Sequence, residues 1–120
     1  MDLITVTLPK HLHVLVLEDS EMRIEWFQKK IANIHVCRTV QEFKDYFTTH
    51  PCVDFIFFDH DLGPGGGTGV EAANFMIEKF GSVKKWALIH SWNIAGAQEM
   101  QKIMLGVSHI PFGDFDIKEV

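Results

Sequence analysis

Apolar residues in this chain fall into short unbroken runs that alternate with stretches where they recur at near-helical spacing. HVLVL (His13 to Leu17) and FIFF (Phe55 to Phe58) are apolar at successive positions, as strands buried on both faces must be. IHVCRT (Ile34 to Thr39), WALIH (Trp86 to His90) and VSHI (Val107 to Ile110) read as three further strands. LITVTL (Leu3 to Leu8), which alternates threonine with apolar residues, reads as an extra edge strand or an ordered arm. Between these runs, Met22, Ile24, Trp26, Phe27 and Ile31 predict a helix over 21–32 capped by Ser20, and Val40, Phe43 and Phe47 a short helix capped by Thr39. Thr68 and Glu71 stand at capping-box spacing before a helix that runs to about Lys79 and stops at Gly81; Ile94 to Leu105 predicts a fourth helix, closed by Gly106. Strands alternating with helices in this way predict one α/β domain over 1–120, a doubly wound parallel sheet with helices on both faces. Too little chain follows Pro111 for a full last helix.

Composition narrows the class. A hydrophobic fraction of 47% and a charged fraction of 22% are those of a folded globular domain. No apolar run reaches the ~20 residues of a membrane helix, and no basic-then-apolar leader opens the chain, so the expectation is a soluble, cytoplasmic protein without membrane association. Cys37 and Cys52 form no CxxC pair and read as reduced thiols inside or near the core. A net charge of −5 argues against an extended nucleic-acid surface, while leaving room for a pocket that takes one nucleotide or one nucleic-acid end.

The candidate chemistry lies at the strand ends. Glu18 and Asp19 follow the first core strand, Asp59, His60 and Asp61 the third, and His90, Ser91 and Asn93 the fourth. In a doubly wound sheet these carboxyl ends converge where the strand order reverses. Two carboxylates ~4 Å apart repel by about 4 kcal/mol at an effective dielectric of ~20, so acids gathered there call for a divalent cation; all-oxygen ligands favour Mg²⁺. Helix capping is the plainer role for one acidic pair after a strand, yet caps give no reason for two such sets to converge. The glycines Gly63, Gly65, Gly66, Gly67 and Gly69 lack the Lys-Ser/Thr of a Walker A loop and form either a plain turn or a loop whose amides help to hold an anion. His11, His13, His35 and His50 read as surface or ordinary core positions.

VLVLEDS, VDFIFFD, ALIHSWN and SHIPF together resemble the receiver domain of two-component response regulators over nearly the whole chain. The resemblance implies a flavodoxin-like sheet of five parallel strands with the last helix shortened or absent, metal-binding acids at Glu18 and Asp19, a phospho-acceptor at Asp59 and the hydroxyl residue at Ser91. Two features depart from it. DLGPGGGTGVE fits the receiver spacing best with Asp61 as acceptor, so two anchors disagree by two residues. The receiver lysine after the fifth strand is missing, with His109 nearby. DHDLG, the TG before the next helix, and HSWN resemble more specifically the cyclic-phosphate processing receiver domain, a derived group found in bacterial and phage contexts that keeps the receiver acids and adds histidine.

That resemblance implies a Mg²⁺-dependent phosphoesterase acting on cyclic phosphates in nucleotides or at nucleic-acid ends. Glu18, Asp19, Asp59 and Asp61 would hold the metal, His60 or His90 would donate a proton to the leaving ribose oxygen, Ser91 and Asn93 would contact phosphate oxygens, and Asp59 is the alternative nucleophile. The competing reading is a stand-alone receiver that takes phosphate on Asp59 or binds a partner without turnover. FIFFDHDLG also resembles the signature of haloacid-dehalogenase-like phosphatases, whose acid normally opens the chain on the first strand.

Overall fold

The computed structural model describes residues 3–81 and 86–120. Its main sheet contains five parallel strands in the order β3-β2-β4-β5-β6, formed by β2 (Val14–Leu17), β3 (Ile34–Cys37), β4 (Phe55–Phe58), β5 (Trp86–Ile89) and β6 (Ser108–His109). The helices are α1 (Glu21–Lys30), α2 (Val40–Thr49), α3 (Gly69–Phe80) and α4 (Ile94–Ile103). From β2 the chain moves outward to β3 and then crosses back to β4, so the order reverses between β2 and β4. Every residue of VLVL and FIFF is buried, because these two strands occupy the middle of the sheet and are covered on both sides.

Strand alternation divides the core in two. Leu15, Leu17, Ile56, Phe58 and Ile89 pack against α2, α3 and α4 through Phe43, Phe47, Ala73, Met76 and Met100. Val14, Val16, Phe55, Phe57 and Leu88 face the other way, onto Phe27 of α1 and Ile31 at its C-terminal cap.

The second face is completed by an unexpected element. β1 (Ile4–Leu8) does not extend the main sheet as an edge strand; it pairs in parallel with β7 (Phe115–Glu119) in a separate two-stranded sheet. Leu8, Phe115 and Ile117 turn inward onto Val14, Val16, Phe57 and Phe27. This ribbon covers the surface beside α1 that a last helix would cover, which is how the domain closes its core without one. FDIKE carries the alternation of a strand, but two inward residues are too short a pattern to stand out. Phe115→Ala is expected to cost about 3 to 5 kcal/mol, measured by denaturant unfolding, since a fully buried ring would leave a cavity under the ribbon.

Local signals hold with small adjustments. Thr39 caps α2 as expected, accepting from the Glu42 amide at 3.1 Å. Ser20 and Thr68 occupy the cap positions of α1 and α3 without a side-chain cap bond, so the Thr68–Glu71 spacing marks the helix start but forms no capping box. Cys37 is buried, where desolvation pushes its thiol up to about 12. Cys52 is exposed rather than near the core. His13, His35 and His50, read as surface or ordinary core positions, lie at or near the surface and gather around the Tyr46 ring, with His35 and His50 stacked at 3.7 and 4.1 Å. Among the described residues no helix is long and apolar enough to cross a membrane.

Candidate functional site

The site follows from the register of three strands. Leu17 pairs with Phe58 and Phe58 with Ile89, so Glu18, Asp59 and His90 form the next row across β2, β4 and β5. Alternation puts all three on the α1 face, continuing Val16, Phe57 and Leu88. This row lies at the carboxyl ends of the strands, where the sheet order reverses. Backbone bonds extend the ladder into it: Asp59 N–H donates to the Leu17 carbonyl at 3.1 Å and His90 N–H to the Phe58 carbonyl at 2.9 Å.

All three side chains are buried. One potential ligand atom from each of Glu18, Asp59 and His90 lies within 4.8 Å of the other two. His90 Nε2–H donates to Glu18 Oε1 at 2.9 Å, and the amides of Asp19 and Ser20 both donate to Glu18 Oε2 at 3.0 Å. Burial alone would raise the Glu18 carboxyl; the His90 hydrogen bond and the Ser20 amide reverse that and hold it at about 2. Burial likewise pushes His90 below the usual imidazole range, so it stays neutral and donates through Nε2. Its Nδ1 is buried without a hydrogen-bond partner, and the ring packs against Phe27 and Phe57. Asp59 goes the other way: burial first, then the charge of Glu18, raise it to about 8. Without a cation, the two carboxyls are therefore reconciled by a proton on Asp59.

Glu18 and Asp59 open into a cleft of about 400 Å³, also lined by Asp19, Ser20, Met22, Arg23, Asp61, Ser91, Trp92 and Asn93. Asp19 sits at its edge, raised by burial and by the charge of Glu18. A Cβ on Gly63 would lie 2.9 Å from the Asp19 carboxylate, and Gly63 has a φ of 75°, so the loop passes the acid closely only as glycine. None of the loop glycines, Gly63 included, lines the cleft itself.

At Asp61, which also lines the cleft, Oδ1 accepts from His60 Nδ1–H at 2.8 Å and Oδ2 from Asn93 Nδ2 at 3.2 Å. The Asn93 orientation is fixed because its Oδ1 caps α4, accepting from the Gly96 amide at 2.8 Å. The His60 bond holds Asp61 below its usual range, and therefore ionised. Ser91, 2% exposed, accepts from the Asn93 amide through Oγ at 3.0 Å. The His60 ring packs on Gly96, where a Cβ would lie 2.5 Å from it. Gly96→Ala is expected to displace His60 and cost about 1 to 3 kcal/mol in denaturant unfolding, with the His60–Asp61 pair disrupted.

The structure thus brings Glu18, Asp59 and His90 together, places Asp19, Asp61, Ser91 and Asn93 on the cleft, and sets His60 behind Asp61. His90 differs most from its expected proton-donor role, because it is fully buried behind Glu18 and has no surface on the cleft. Of the two acids between which the receiver anchors disagree, Asp59 directly follows Phe58, the strand end paired with Leu17, and is buried, whereas Asp61 lies beyond the strand and is exposed. His109, near the place of the missing lysine, bonds through Nε2 to the Ser91 carbonyl at 2.7 Å and does not line the cleft.

Two residues escaped the sequence reading. Arg23 brings a cation to the cleft from the first turns of α1, its Nη1 3.6 Å from Glu18 Oε1. Trp92 stands over it, with the guanidinium 4.2 Å from the indole centre. The available signal was a lone tryptophan set between Ser91 and Asn93 at a strand end otherwise made of polar residues.

Fold and site define a receiver domain: five parallel strands with an acid pair after one central strand and a further acid after its neighbour. The model of the cyclic-phosphate processing receiver domain matches residues 14–106, and the chain belongs to that family. Solved structures give the same fold. A chain from the CheX–CheY–BeF3–Mg complex of Borrelia burgdorferi is 11% identical with a TM-score of 0.67, covering 82% of this chain and 77% of that one. A phosphorylated cyanobacterial phytochrome response regulator, RcpA, is 16% identical with a TM-score of 0.70, covering 84% and 80%. The receiver domain of the Arabidopsis thaliana histidine kinase CKI1 is 17% identical with a TM-score of 0.62, covering 84% and 80%. No curated protein matches the chain.

Proposed function

We propose that this domain is a metal-dependent phosphoesterase that processes cyclic phosphates in nucleotides or at nucleic-acid ends. The observation that carries the reading is a buried acid pair, Glu18 and Asp59, opening into a cleft also lined by Asp61, an ionised acid tied to a histidine. The donor set fits a hard divalent cation such as Mg²⁺, since two carboxylates that need a proton to coexist supply oxygens that a cation would reconcile instead. Bound by Glu18 and Asp59 beside Asp19, such an ion would neutralise phosphate charge and lower the pKa of a bound water.

The chain's own groups have separate tasks. His90 locks Glu18 in its ionised, oriented form from behind. Arg23 faces the incoming phosphate as the positive side chain of the cleft lining. Asp61 accepts the His60 Nδ1 proton; His60 packs its Nε2 side on Gly96 and does not line the cleft, so this histidine acts by orienting the Asp61 carboxylate. Ser91 and Asn93 border the phosphate with a hydroxyl and an amide. Incubation with Mg²⁺ and either a 2′,3′-cyclic nucleotide or RNA ending in a cyclic phosphate is expected to yield a linear monoester. Asp59→Asn is expected to abolish this, and product formation unaffected by that substitution would refute the proposal.

A second reading has its own support. The family resemblance is to receivers, and the regulators RcpA and CheY are described in phosphorylated or BeF3-bound form. In this reading Asp59 Oδ attacks a phosphodonor, forms a phospho-aspartate and releases the donor's leaving group. A stable mass gain confined to Asp59 after treatment with a small phosphodonor and Mg²⁺, without turnover of cyclic phosphates, would favour it.

A further inference from the structure

The mouth of the cleft carries an apolar surface that neither the metal nor the phosphate uses. Trp92 is 64% exposed and Met22 68%, and both line the same cleft as Glu18, Asp19 and Asp59. Trp92 is nevertheless held firmly. Its indole N–H donates to the Phe112 carbonyl at 2.7 Å, so the ring is anchored at its polar edge. Its face toward the protein is covered by the Arg23 guanidinium, 4.2 Å from the ring centre and itself 5.0 Å from the Phe112 ring. No other aromatic ring among the described residues packs on Trp92. A tryptophan fixed at its edge, supported on one face and open on the other is prepared to stack a planar group at little cost in side-chain entropy.

The position of that open face decides which planar group fits. It adjoins a cleft rich in carboxylates, in which Arg23, and a cation if Glu18 and Asp59 hold one, would attract a phosphate. A ligand that fills both must join an anionic phosphate to a flat ring, as a nucleotide does and a phosphorylated serine, threonine or aspartate side chain does not. We propose that Trp92 is a base-stacking residue that selects nucleotides and nucleic-acid ends over other phosphoesters. The inference rests on the reading of the cleft as a phosphate site and adds the part of the ligand that confers specificity. Trp86 is equally exposed, but it begins β5 at the opposite end of the sheet, so it serves as an internal control.

Product-like ligands test this without turnover. Adenosine 3′-monophosphate and the base-less glycerol 2-phosphate are titrated calorimetrically in Mg²⁺ into wild type, Trp92→Ala, Trp92→Phe and Trp86→Ala, with thermal unfolding as the folding control. The nucleotide is expected to bind wild type more tightly than glycerol phosphate. Trp92→Ala is expected to weaken the nucleotide about 5- to 150-fold, the size of one lost base stack, and to leave glycerol phosphate unchanged. Trp92→Phe is expected to keep most of the affinity and Trp86→Ala all of it. Equal binding of the two ligands to wild type, or equal weakening of both by Trp92→Ala, overturns the inference alone. Failure of wild type to bind either ligand overturns it together with the phosphate reading, whereas absence of turnover in the cyclic-phosphate assay touches only the catalytic proposal.

Discussion

Asp59→Asn is expected to make the metal-free protein more stable at neutral pH while removing its response to Mg²⁺. Burial and the neighbouring Glu18 raise the Asp59 carboxyl from 3.8 to about 8. The folded form therefore binds a proton that the unfolded chain has released between these values, and stability falls as pH rises through that window. At pH 7 the cost is about 2 to 4 kcal/mol. Asparagine carries no such charge and its amide can donate to Glu18, so the variant should melt roughly 5 to 15 °C higher at pH 7 and match wild type near pH 4. Wild type should recover the same increment on adding Mg²⁺, because a cation takes over the role of the proton. Melting curves at several pH values, with and without Mg²⁺, provide the check. A variant less stable than wild type at pH 7 would mean that the acid pair does not repel.

His90→Leu is expected to have the second large effect. It preserves apolar packing against Phe27 and Phe57 while removing the donor to Glu18. A buried carboxylate deprived of its charge-assisted hydrogen bond costs about 2 to 3 kcal/mol. Glu18 is held at about 2 against an ordinary 4.5, so its stabilising contribution is present above pH 4.5 and lost as pH falls toward 2. In His90→Leu burial draws the Glu18 carboxyl back up, so that acid-side loss should shrink. Metal affinity should fall about 10- to 100-fold as the carboxylate loses its orienting partner. His90→Gln, whose amide can reach the same oxygen, should recover much of both. Mg²⁺ titration together with pH-dependent unfolding distinguishes this positioning role from simple packing, which Gln would not restore.

Much of this architecture was legible in the sequence because the strongest patterns coincide with its most buried parts. VLVL and FIFF announce central strands, and the acids directly after them mark the functional end of the sheet. Alternation carried further information that the strand ends alone conceal: Glu18, Asp59 and His90 each stand two residues beyond an inward residue of the same face, which makes them one row. His60 and Ser91 each stand one residue further on. The β1–β7 pairing was not legible, because a two-strand ribbon between segments more than a hundred positions apart leaves only short alternating signatures at each end. Arg23 was hidden for a different reason. A single basic residue in an amphipathic helix reads as a solvated face until the fold shows that it points at Glu18.

Phosphorus NMR of a 2′,3′-cyclic nucleotide incubated with the protein and Mg²⁺ tests the central claim most directly, since cyclic phosphate, monoester and acyl phosphate give separate resonances. The account predicts that the cyclic resonance converts to a monoester with wild type and Mg²⁺, and persists with Asp59→Asn or with a chelator. Persistence of the cyclic resonance with wild type in Mg²⁺, or its conversion at the same rate by Asp59→Asn, would contradict it.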